Sequence, residues 1–199
     1  MCATSRCERC GSCEHLCCEI EQVGSNVVAT GSGAFDLTGL ALRATGTFEA
    51  GITPSTPGAG IGLSATPNFP NTFSDFVYSG ISGPTSFGSG GNILASSSSG
   101  PEVLLLDYAP FGGFTLWIPQ TYSSGTLLAS SQDIFDNQTL ASLGITPGTY
   151  TWTWDNGANS FTITTTPLPA ALPLFATGLG GLGLLGWRRK KKASSVAVG

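Results

Sequence analysis

From Pro167 to Trp187 the chain carries twenty-one residues without a charge, followed by five consecutive cations, Arg188, Arg189, Lys190, Lys191 and Lys192. About twenty helical residues span roughly 30 Å, the thickness of a bilayer's hydrocarbon core. A buried core helix does not end in a block of five cations, so the expectation is a single transmembrane helix. Trp187 stands where an interfacial aromatic belongs, and the cations behind it form a membrane stop that places the tail on the cytoplasmic side. The preceding body then lies outside. Five glycines between Gly178 and Gly186 each cost up to about 1 kcal/mol against alanine in a helix. Lipid still forces the backbone to hydrogen-bond to itself, so the segment should be a helix that opens locally with little cost.

The body has a different character. Only 10% of the 199 residues are charged, against about 25% in an ordinary soluble domain. Between Val23 and Thr166 there are eight carboxylates and one cation, Arg43. Phosphate backbones are held by cations, so such a body has no nucleic-acid partner. His15 is the sole histidine, and the six cysteines (Cys2, Cys7, Cys10, Cys13, Cys17 and Cys18) all precede residue 19. The body therefore lacks the parts of a Ser-His-Asp or Cys-His catalyst and of a His-ligated zinc site. It reads as a non-enzyme without a cofactor.

The 28 glycines and 12 prolines suit short strands and many turns. Asn26–Thr30, Ala34–Leu37, Leu42–Glu49, Glu102–Asp107 and Phe114–Ile118 are strand-like runs. The clearest hairpin joins Thr149–Trp154 to Ser160–Thr166, because Tyr150, Trp152 and Trp154 alternate with threonines and Asn156-Gly157 supplies the turn. Thr139–Leu143 with Gly144 behind it reads as one helical turn with a glycine cap. Asn137-Gln138-Thr139 fits a glycosylation acceptor but reads better as the turn leading into that cap. The predicted fold class is mainly β: an antiparallel β-sandwich, jelly-roll-like, over residues 19–165, followed by the single C-terminal transmembrane helix.

Residues 1–18 form a Cys-rich head with no apolar core of the length a secretory signal requires. The leading expectation is a mis-called start or a frameshift that replaced a signal peptide, with a mature N-terminus near Glu19 to Val23. The alternative is a metal knot of Cys7, Cys10, Cys13 and Cys17, whose spacing matches a bacterial iron–sulfur run. The Pro and the second run found in such proteins are missing, so no metal is assigned.

Residues 166–192 run Thr-Pro-Leu-Pro-Ala-Ala-Leu-Pro-Leu, then the Gly-rich apolar stretch, then Trp-Arg-Arg-Lys-Lys-Lys. This order resembles the PEP-CTERM sorting signal, and more closely its Val-Pro-Leu-Pro-Ala variant. Pro167, Leu168, Pro169 and Ala170 fall on the variant motif; Thr166 stands where Val is usual, and Leu168 where the commoner motif has Glu. Loose similarity extends to Glu21–Gly31 and Pro147–Trp154. The resemblance implies a bacterial protein that passes through the inner membrane with a cytoplasmic C-terminus. It also implies processing by an exosortase-type intramembrane protease and a final place at the cell surface, in the medium or in a biofilm matrix, with extracellular polysaccharide as a partner.

The functional expectation is an exported structural or adhesive protein. A second reading is a carbohydrate-binding module in which Trp117, Tyr122, Trp152 and Trp154 form a stacking platform; solvent-exposed, coplanar rings would support it, and core burial would remove it. A third uses paired carboxylates, Asp133 with Asp136 or Glu102 with Asp107, for glycoside hydrolysis, or Asp133, Asp136 and Asp155 for calcium.

Overall fold

A computed structural model of the chain describes residues 15–55, 60–63 and 75–166. The chain divides into two units, Met1–Pro167 and Leu168–Gly199; the second lies outside the described residues. So do the sorting motif Pro167–Ala170, the predicted transmembrane helix, the membrane stop Trp187–Lys192, and Cys7, Cys10 and Cys13. Among the described residues no helix is long and apolar enough to cross a membrane.

The described residues form thirteen strands: β1 (Leu16–Val23), β2 (Asn26–Ala34), β3 (Ala41–Gly46), β4 (Gly51–Thr53), β5 (Gly60–Leu63), β6 (Asp75–Ile81), β7 (Ile93–Leu94), β8 (Ser97–Ser99), β9 (Val103–Tyr108), β10 (Gly113–Pro119), β11 (Leu127–Phe135), β12 (Gly148–Trp154) and β13 (Asn159–Thr166). They make a six-stranded sheet in the order β12-β13-β1-β2-β11-β8 and a seven-stranded sheet in the order β3-β6-β10-β9-β5-β4-β7. Every pairing is antiparallel except β1 with β13, which is parallel. The fold is mainly β, as the sequence predicts.

One hydrophobic core is shared by both sheets. Leu16, Cys18 and Ile20 of β1, Phe161 and Ile163 of β13 and Trp152 of β12 face it from the six-stranded sheet. Ile52, Ile61, Leu105 and Leu116 face it from the seven-stranded one. Strand period two explains the first set, since apolar residues recur at every second position and polar ones fill the gaps.

The first strand moves one boundary read from the sequence. Leu16, Cys17 and Cys18 fall in the predicted head, yet Leu16 and Cys18 are fully buried and the ladder to β13 begins at Leu16. The body therefore begins ahead of Glu19. A side chain at Gly33 would run into the backbone of His15 and Leu16, so glycine is what lets β2 pass the start of β1.

Other differences are local. Ala34–Leu37 is not a strand of its own; β2 runs on to Ala34, and Asp36 then opens a turn by accepting hydrogen bonds from the Thr38 N–H (2.9 Å) and hydroxyl (2.8 Å). The predicted turn before Gly144 is present. The Ile145 N–H reaches the Leu140 carbonyl (2.9 Å), the Gly144 N–H reaches that of Ala141 (3.0 Å), and Gly144 has φ +66°, which together make a Schellman cap.

Candidate functional site

The aromatic platform is not assembled. Trp152 and Trp154 point into the core at 0% and 3% exposure. Each indole N–H is committed to a backbone carbonyl, Trp152 to Pro84 (3.1 Å) and Trp154 to Asp36 (2.8 Å). The Tyr122 hydroxyl accepts from the Phe35 N–H (2.8 Å) and lies 2.9 and 2.8 Å from the Phe35 and Thr126 carbonyls. Burial holds its pKa above the ordinary phenol value. These are structural anchors of the kind buried Tyr and Trp usually are. Trp117 alone lies on the other face of the seven-stranded sheet, edge-on to Phe48 and Tyr108.

The nominated carboxylates are also separated. Asp133 is buried on the core side of β11, beside Cys18, whose thiol pKa is raised chiefly by burial. Asp136 accepts from the Asn26 amide (2.9 Å) at the surface. Asp155 begins the β12–β13 turn, with φ +50°. Glu102 and Asp107 are five residues apart along one extended run, so they point to opposite faces. Among the described residues no three of His, Cys, Asp and Glu gather as a metal shell. Of the alternative set Cys7, Cys10, Cys13 and Cys17, only Cys17 lies within the described residues.

Two surfaces have a defined chemistry. The outer face of the six-stranded sheet is an array of hydroxyls. Thr149 faces Thr164, Thr151 faces Thr162 and Thr153 faces Ser160 across β12 and β13. The row through Thr164 continues to Glu19, Thr30, Gln132 and Ser99 on successive strands. A groove of about 560 Å³ runs over this face, lined by Thr149, Thr162, Thr164 and Thr166 with Glu19 and Glu21.

The outer face of the seven-stranded sheet is apolar in its middle. Leu104, Trp117 and Val77 are adjacent in register, and Phe48 lies over them with its ring 6.2 Å from Trp117. Gly62 makes room for that ring, since a Cβ there would approach it to 3.0 Å. At one rim stand two acids that the sequence did not pair. Asp75 opens β6 opposite Pro119 of β10 and Gly46 of β3, and Glu102, two residues before Leu104, approaches the same row. Asp75 has no solvent exposure, and its carboxyl group is close enough to that of Glu102 for the two to share a proton in one hydrogen bond. Burial first, and then the neighbouring Glu102, push its pKa up to about 7. The twenty-six residues between them leave no local motif. The only clue in the sequence is that Asp75 sits in phase with Val77 and Ser79 on one side of a strand. Asp36 behaves in the opposite way: the Thr38 N–H and hydroxyl, and the Ser124 hydroxyl, hold its carboxyl below the usual range.

No protein-family model matches the chain, and it has no match among curated proteins or solved structures.

Proposed function

We propose that the chain is an exported, non-enzymatic surface or extracellular-matrix protein. In this reading residues 166–192 are a PEP-CTERM-type sorting signal processed at the inner membrane by an exosortase-type protease. One observation carries it: a Pro motif, an uncharged run of membrane-spanning length and a block of five cations follow in that order, and they begin where the last strand ends, at Thr166. Proline cannot donate to a ladder and biases the residue before it towards extended backbone. Pro167 and Pro169 would thus close the body and present an extended segment at the membrane surface, where a protease can bind it. The body itself would be a jelly-roll-like sandwich.

The nominated acids of the body are dispersed, and the indoles of Trp152 and Trp154 are consumed by packing.

Intact mass and terminal peptides of the protein isolated from its native host test this reading. The expected product lacks the residues beyond about Pro169 and keeps Leu16–Val23, because Leu16 and Cys18 are core residues. An uncut tail on a protein found in the cytoplasmic fraction would overturn it. The second reading, a carbohydrate-binding module, keeps one specific support, the hydroxyl- and carboxylate-lined groove over β12, β13 and β1. Retardation of the purified protein in gels containing a neutral polysaccharide, lost on Thr164→Val, would favour it.

A further inference from the structure

We propose that the groove over β12, β13 and β1 binds an amine-bearing polysaccharide, a chain of hexosamine units whose amino groups are free and charged. This rests on the second reading above, a carbohydrate-binding module, and names its ligand class. It is independent of the sorting signal.

The groove has about 560 Å³ of space, within the range of small-ligand sites. β13 lies between β12 and β1, and β1 between β13 and β2, so the backbones of its two central strands are committed to their ladders. A basic peptide that binds by adding a strand needs a free sheet edge, which those strands do not offer. The ligand must therefore be read by side chains. Thr162, Thr164 and Thr166 recur at every second position of β13, roughly 7 Å apart, and Thr149 faces Thr164 from β12. Such a row matches a ligand that carries its own hydroxyls at intervals along its length. None of the described residues lining the groove is Trp, Tyr or Phe, so sugar rings are not held by stacking on an aromatic face. A threonine that exchanges water for a sugar hydroxyl gains little net free energy, and a second source of affinity is required.

Charge supplies it. Glu19 faces Thr164 and Glu21 faces Thr166 across β1 and β13, so two carboxylates run beside the hydroxyl row. The Thr166 hydroxyl donates to Glu21 Oε1 at 3.5 Å. His15 lines the groove as well, six positions before Glu21. Arg43, the one Lys or Arg among the described residues, stands on β3 of the other sheet. Between Glu19 and Thr166 the chain carries ten carboxylates and that single cation. Such a field repels polymers of uronate or sulfated sugars and draws in cationic ones. An ammonium group donating to a glutamate makes a charge-assisted hydrogen bond, roughly twice as strong as a neutral one. A hexosamine chain brings both groups on each unit, hydroxyls for the threonines and ammonium groups for the glutamates.

The test titrates the purified full chain, in detergent at about pH 6, where glutamates are ionised and sugar amines are charged. The probes are a glucosamine hexamer, the corresponding N-acetylglucosamine hexamer and hexalysine, with binding followed by calorimetry. The glucosamine hexamer is expected to bind about tenfold or more tightly than the acetylated one, and to weaken severalfold in high salt. Glu21→Gln should lower its affinity about tenfold, and Thr164→Val should lower it too, with the melting midpoint unchanged in both. Equal binding of the two sugar hexamers would overturn the proposal and leave the broader carbohydrate reading standing. No binding of either would remove both readings. Hexalysine binding as tightly as the glucosamine hexamer would overturn the proposal by showing that charge alone is recognised, and full affinity in Glu21→Gln would overturn it by placing the ligand elsewhere.

Discussion

The two sheets share a core but differ in what their outer faces do. On the six-stranded sheet the outer side is hydroxyl after hydroxyl, with Thr151 and Thr162 only 3.2 Å apart at their oxygens, and water serves these groups about as well as they serve one another. On the seven-stranded sheet the outer side carries Val77, Leu104 and Trp117 beneath Phe48, so part of that sheet is buried on both sides. One sheet is a boundary with solvent, and the other is the middle of three layers. A strand buried once alternates in polarity, whereas a strand buried twice is apolar at nearly every position. The runs Thr-Tyr-Thr-Trp-Thr-Trp in β12 and Val-Leu-Leu-Leu in β9 are these two cases.

Substitutions can break this contrast at three depths. The largest effect is expected at Trp152→Ala, which empties a fully buried indole site in the shared core and should cost about 3–5 kcal/mol in chemical denaturation. Trp117→Ala, on the outer layer, should cost about 2 kcal/mol, since its ring is only half-buried and packs chiefly on Phe48 and Tyr108. Equal losses at the two tryptophans would mean that the outer layer is as deep as the core.

A pH series sharpens the comparison further. Asp75 titrates near 7 in the folded chain against about 3.9 for a free aspartate, so the folded state holds its proton more tightly than the unfolded one. Its contribution to stability is complete below about pH 4 and is lost as the pH climbs to about 7, on the order of 1–2 kcal/mol after solvent screening. Asp75→Asn should flatten that window. The smallest effect belongs to the hydroxyl face, where Thr162→Val should change stability by less than about 0.5 kcal/mol. A larger loss would show that the threonine array is structural.

Legibility followed the same division. The β12–β13 hairpin could be read to within a residue because its alternation is clean, and β9 and β10 were visible as apolar runs. β11 was missed because its register shifts between Leu128 and Ser131, which breaks the period that would have marked it. β1 was missed because its first three residues carry the composition of the Cys-rich stretch, although Leu16, Cys18 and Ile20 already alternate. The aromatic platform was suggested by residue type alone, and type does not say which side of a sheet a ring occupies. Tertiary pairing decides that, as it does for Asp75 and Glu102, whose approach depends on β10 lying between them.

The parallel pairing of β1 with β13 has a mechanical consequence. β1 begins at Leu16 and β13 finishes at Thr166, so the outer ends of these neighbouring strands lie at opposite ends of the pair. Tension applied between them would slide one strand lengthwise against the other and load six facing residue pairs, from Leu16–Phe161 to Glu21–Thr166, at the same moment. Peeling would load them one at a time. A body held through the residues after Thr166 and pulled through those before Leu16 would resist force in shear, the direction in which a ladder of hydrogen bonds is strongest.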